Sequence, residues 1–180
     1  MHQVVRRPNH PTEIFMASGN GLYASADDGK SWERLTDLQF RIGYPDKLIF
    51  SPTDDRTMFM AGAVGNPGTW IKAKSANPAI MVSRDLGRSW TKSSNGLPTE
   101  MKPSVEGLVM HVGSNGFSLF AGTTDGEVYV SDDGAESWAK ICDGLGAVSK
   151  SAHFRLLLPG GPGGPPGGPP GGPPGARPHA

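Results

Sequence analysis

Two histidines and two carboxylates hold the first position of four seven-residue segments that align without gaps. The segments are 2–8 (HQVVRRP), 46–52 (DKLIFSP), 106–112 (EGLVMHV) and 153–159 (HFRLLLP), and three of them end in proline. If these are equivalent inner strands, then His2, Asp46, Glu106 and His153 form a ring at one rim. Two imidazoles and two carboxylates can bind a divalent metal, or form an acid–base group in which neighbouring carboxylates shift one another's pKa. Glycoside hydrolysis needs two carboxyl groups roughly 5–10 Å apart, which makes Asp46 and Glu106 the candidate catalytic pair. The plainer reading is that strand ends near solvent are often polar. Metal is the less favoured alternative, and no metal or cofactor is expected.

A second set of candidates lies in connections. The stretch 64–78 (VGNPGTWIKAKSANP) is much longer than its counterparts Gly19-Asn20 and Asp125-Gly126, and it carries Trp70, Lys72 and Lys74. An aromatic beside cations can stack on a sugar or grip an anionic group. The same stretch also reads as a lid that packs Trp70 onto its own sheet. Arg41, Tyr44, Glu100 and Lys102 fall in connections predicted at the same end, and Arg155 lies near the fourth segment.

The elements that must position these residues are marked by a phrase that occurs three times, roughly 50 residues apart, a spacing typical of repeat architectures. It reads SADDGKSW from Ser25 to Trp32, SRDLGRSW from Ser83 to Trp90 and SDDGAESW from Ser131 to Trp138. Asp27, Asp85 and Asp133 stand where a turn aspartate accepts hydrogen bonds from backbone N–H groups ahead of it. Gly29 and Gly87 allow a positive φ at low steric cost; the third copy has Ala135 there, preceded by Gly134. The leading serines add side-chain-to-backbone bonds. Trp32, Trp90 and Trp138 then open the next strand as apolar wedges between repeats. A calcium loop is disfavoured, because it needs several oxygen ligands in a short span and the middle copy offers only Asp85.

The phrase SxDxGxSW resembles the Asp box of the BNR-repeat proteins. That group includes sialidases, sortilin-type receptor domains, xyloglucan-degrading glycosidases and photosystem II assembly factors, all β-propellers. The resemblance covers residues 1–158 and suggests a bacterial member or a C-terminal fragment of one. It implies that the boxes sit on the face away from any active site. Sialidases in this group bind the substrate carboxylate with three arginines, and use a Tyr–Glu pair as nucleophile with an Asp as acid/base. Arg41, Arg155, Tyr44 and Glu106 are of those types, but no sequence pattern ties them into that arrangement.

Each repeat reads as four β-rich runs separated by turn signals, and no segment shows a sustained helical period. The expected fold is all-β: three four-stranded propeller blades and an extra inner strand at 153–158. Propellers close with four to eight blades, so three leave an incomplete ring with exposed edges. A longer propeller is the favoured account, and self-association through the exposed edges the alternative. From 159 to 180 the unit GGPP has nothing to bury and is expected to be disordered; its period of four does not fit collagen.

The 180 residues balance 17 basic against 17 acidic side chains, so neither nucleic acid nor an anionic membrane is an expected partner. The single cysteine, Cys142, permits no internal disulfide. No apolar stretch approaches the roughly 18 residues of a membrane span, and the first residues lack a signal-peptide core. A cytoplasmic location is therefore favoured for the chain as given. The reading favoured on these grounds is a non-catalytic propeller module binding a protein or glycan through the face opposite the Asp boxes. The alternative is part of a sialidase-like glycoside hydrolase.

Overall fold

The structure is a computed structural model, and it describes residues 2–150 and 152–157. Among the described residues, twelve strands form three four-stranded antiparallel sheets, each a meander in chain order. The first holds β1 (Gln3–Arg7), β2 (His10–Ser18), β3 (Gly21–Ser25) and β4 (Glu33–Arg34). The second holds β5 (Tyr44–Phe50), β6 (Met58–Ala63), β7 (Pro78–Ser83) and β8 (Thr91–Ser93). The third holds β9 (Val105–Gly113), β10 (Gly116–Thr123), β11 (Val128–Ser131) and β12 (Ala139–Cys142).

The core lies between sheets, and side-chain alternation along a strand explains how. In β6, Met58 and Met60 pack with Phe15, Leu22, Leu48 and Phe50 towards the first sheet. Phe59 and Ala61 turn the other way, to Val105, Leu108, Leu119 and Tyr129 of the third. Both faces of the middle sheet are covered, so β6 and β7 are buried along their whole length, as the unbroken apolar runs MFMAGA and PAIMVS allow. The outer sheets alternate instead. Val5 points into the core while Val4 is 45% exposed, and Leu108 is buried while Val109 is 59% exposed.

The three repeated turns join β3 to β4, β7 to β8 and β11 to β12. In the first two, Ser31 and Ser89 donate from N and Oγ to the two carboxylate oxygens of Asp27 and Asp85, at 2.8 and 2.6 Å. The Oγ of Ser25 and Ser83 donates to the same aspartate at 2.8 Å and accepts from Gly29 N and Gly87 N. Ser131, Asp133 and Ser137 repeat the pattern, with Ala135 N as the donor. Two consecutive residues take positive φ in every copy: Asp28-Gly29, Leu86-Gly87 and Gly134-Ala135.

The tryptophans are not equivalent wedges. Trp138 is buried and donates from Nε1 to Ser93 Oγ of the preceding sheet. Trp90 is partly buried against the core shared with the first sheet. Trp32 is 41% exposed, because each tryptophan packs on the sheet before its own and no described sheet precedes the first.

Two expectations are corrected. The expected inner strand 153–158 is not a strand in its described part, 153–157: Ala152–Leu156 form a 3-10 helix, and 158 lies outside the described residues. An inner strand here would need a β-hairpin partner, and the residues that follow, starting Pro159-Gly160-Gly161, are poor ladder formers. The connection 64–77 contains a helix, α1 (Pro67–Ala73), where none was expected. Asn66 caps it by accepting from Gly68 N, Pro67 opens it, and Lys74 closes it with φ 51°. The expected disordered tail, 159–180, lies outside the described residues.

Candidate functional site

The carboxylates of the second and third sheets are placed by matching irregularities in their inner strands. In β5 the register against β6 shifts between Pro45, opposite Gly62, and Lys47, opposite Ala61, so Asp46 is the extra residue. In β9 the shift falls between Val105, opposite Thr123, and Gly107, opposite Gly122, so Glu106 is the extra residue. A bulge bends its strand and re-aims a side chain. Gly62 makes room for the bulge in β5, where a Cβ would lie 2.4 Å from Tyr44 O; a Cβ on Gly122 would instead lie 2.7 Å from a methyl of Val148, in the connection that leads to Lys150. The inner strand of the first sheet is regular at this end, where His2 N donates to Ala17 O.

Both carboxylate side chains have no exposed surface. Asp46 Oδ1 accepts from Lys150 Nζ, and His2 Nδ1 stands 3.7 Å away. Asp46 Oδ2 is buried with no hydrogen-bond partner among the described residues. Glu106 Oε1 pairs with His153 Nδ1 at 2.8 Å. Its Oε2 accepts from Ser149 Oγ at 2.9 Å and Lys150 N at 3.1 Å. Rings close the walls: His2 lies 4.4 Å from Tyr44, Lys150 Nζ 5.5 Å from the Tyr44 centroid, and His153 meets Trp70 edge-on at 5.8 Å.

Burial sets the protonation tendencies. It pushes the His2 pKa down against the opposing pull of the Pro45 carbonyl, which His2 Nδ1 meets at 2.5 Å, and the Lys150 charge pushes it further down. Burial lowers Lys150 and raises Tyr44, the latter helped by the Glu106 charge. Among the described residues, no three His, Cys, Asp or Glu side chains are grouped to hold a metal ion. What the arrangement can do is hold positive charge, since its two carboxylates face cationic and N–H donors in a site shielded from water.

No family model and no curated protein matches the chain. Solved structures do. An ancestral GH74 enzyme superposes with a TM-score of 0.59 at 18% identity, over 79% of this chain and 18% of its own. YCF48 from Cyanidioschyzon merolae gives 0.54 at 16% identity, over 79% and 39%. The GH74 xyloglucanase from Xanthomonas campestris gives 0.51 at 20% identity, over 78% and 22%. The three sheets are β-propeller blades. The chain spans less than half the length of these propeller proteins.

In blade terms, the predicted residues divide into three groups. His2, Asp46, Glu106 and His153 do come together where the inner strands begin, at the end opposite the repeated turns, although His153 arrives on a 3-10 helix rather than a fourth inner strand. Trp70 is fully buried beneath its own helix and donates from Nε1 to Gly65 O at 2.9 Å, so it contributes a ring edge and not a stacking face. Lys72 and Arg155 are exposed and Arg41 is turned elsewhere: its guanidinium holds Asn77 O, Asn77 Oδ1 and Pro78 O at 2.8–3.0 Å. Beside it, between the second and third blades, a cavity of about 470 Å³ is lined by Lys74, Ser75, Lys92, Leu97 and Lys102; it includes none of the four clustered residues.

Nothing in the local sequence marks Lys150 and Ser149. They lie in a connection with no repeat equivalent to align, so spacing gave no signal. The bulges had one: Ala-Gly recurs in the second strand of repeats two and three, as Ala61-Gly62 and Ala121-Gly122, and not in repeat one, where Ala17-Ser18 stands.

Proposed function

We propose that these blades are a non-catalytic module of the Asp-box (BNR) kind, which binds a protein or glycan through the face where the inner strands begin. The observation that carries the reading is the pair of buried carboxylates, Asp46 and Glu106, presented by matching bulges on neighbouring blades. Bulges at a rim are features that re-aim side chains for use, and loops on a rigid propeller frame are the usual place for recognition. The same geometry disfavours hydrolysis as a role for this pair. Three of the four carboxylate oxygens are engaged by Lys150, Ser149 and His153, and neither side chain meets solvent as a general base activating water must. The exposed faces of the first and third blades are proposed to be covered by further blades of a longer propeller.

The test is an array of peptides and glycans probed with the labelled chain. Ligands of the proposed face lose at least about tenfold in affinity, roughly 1.4 kcal/mol, with Tyr44→Ala or Lys72→Glu, and are unaffected by Arg88→Glu in the second repeated turn. If instead the chain hydrolyses a glycan and Glu106→Gln abolishes turnover, the module is a hydrolase part and the proposal is wrong.

A further inference from the structure

A buried carboxylate persists only where cations or hydrogen bonds compensate it. Here the compensation comes mainly from outside the blades that carry the acids. Lys150 Nζ reaches Asp46, while Lys150 N, Ser149 Oγ and His153 reach Glu106. All belong to one short stretch ending in a 3-10 turn, tied to the second blade by the edge contact of His153 with Trp70. The compensation is also incomplete, since Asp46 Oδ2 has no partner among the described residues although Asp46 is 1% exposed. An ammonium on Oδ1 satisfies one oxygen; a guanidinium, with its planar fork, satisfies both.

We propose that Asp46 and Glu106 form a receptor for a cationic side chain, best an arginine, presented by a protein partner, and that Lys150 occupies that receptor in the isolated chain. This deepens the partner-binding reading above and rests on it. Tyr44 supplies an aromatic wall that a cation can lie against, as Lys150 does at 5.5 Å. His2, the other ring against Tyr44, tends to the neutral form and so does not compete as a cation. The partner's arginine takes the place of the Lys150 side chain at Asp46, while Ser149, Lys150 N and His153 stay on Glu106.

The experiment uses the full chain and two probes, acetyl-Gly-Arg-Gly-amide and its norleucine counterpart, with affinity read by calorimetry. Lys150→Met keeps the apolar stem and removes the charge. It should bind the arginine peptide at least about tenfold more tightly than the unmodified chain, with no gain for norleucine. Asp46→Asn on the Lys150→Met background should erase the gain. A folded Lys150→Met chain with no gain, or an equal gain for norleucine, overturns the receptor. Should Lys150→Met not fold, acylation of Lys150 in the unmodified chain decides: the arginine peptide must raise its reactivity, and unchanged reactivity counts against the proposal. Failure here while array ligands still depend on Tyr44 and Lys72 leaves the wider reading intact. Array ligands that ignore both substitutions sink that reading itself.

Discussion

At the scale of single residues, the repeated aspartates and the clustered carboxylates illustrate two different uses of one functional group. Asp27, Asp85 and Asp133 receive N–H and O–H donors from their own turns, with the seryl groups of Ser31, Ser89 and Ser137 as the largest influence. Each is held at about 2, against an ordinary carboxylate value of 3.8. A folded-state pKa below the unfolded one stabilises the fold above the unfolded value, and that contribution is lost as pH falls. Stability should therefore drop between about pH 4 and pH 2, measured as Tm against pH. Asp85→Asn should lower stability at neutral pH by about 1 kcal/mol, since an amide cannot accept from both Ser89 donors, and it should flatten the acid limb. An unchanged acid limb in that variant would mean the turn carboxylates do not govern it. These roles were legible because type and spacing sit within eight residues. Lys150, which meets Asp46 from 104 positions away, was not, because nothing local marks a contact of that range.

At the scale of elements, the four-stranded repeats and the turn between their last two strands could be read from alternation and turn chemistry. Register could not. Whether Asp46 and Glu106 point along the sheet or out of it depends on which residue each faces across a strand pair, and only the paired strands settle that. Helix α1 had a usable signal in Asn66-Pro67, an N-cap followed by proline at the first helical position, but at seven residues it is too short to show a period. The 3-10 turn at Ala152–Leu156 shows the reverse error: HFRLLL carries the same residue types as the true inner strands, yet strand character is conferred by a paired neighbour, and no described strand pairs with it. The bulges lead to a prediction. A methyl on Gly62 would press on the backbone of Tyr44 and Pro45, so Gly62→Ala should either flatten the bulge or push β5 away. The expected cost is about 1–3 kcal/mol in urea unfolding, with loss of the close His2–Tyr44 ring contact seen as a change in near-ultraviolet circular dichroism. Unaltered stability and spectrum would mean that the bulge at Asp46 does not depend on the absent side chain.

At the scale of the whole molecule, the repeat makes the two ends of the chain unequal. Each blade covers the blade before it with its tryptophan and inner-strand residues. So the first blade offers Val4 and Trp32 to a predecessor, and the third offers Val109 to a successor. These faces are built from the positions that form the two internal interfaces, and an apolar sheet face of that kind is normally covered in a propeller. The chain in isolation should therefore associate in a concentration-dependent way, read as native mass by light scattering on a size-exclusion column. Val109→Lys should shift it towards monomer while changing its thermal stability by no more than about 0.5 kcal/mol, because the residue is 59% exposed. In a longer polypeptide carrying further blades the sign reverses: Val109 becomes core, and the same substitution should cost about 3 kcal/mol or more by burying an unpaired charge. A strictly monomeric chain at every concentration, indifferent to Val109→Lys, would mean that three blades suffice and that no further blades are required to cover their faces.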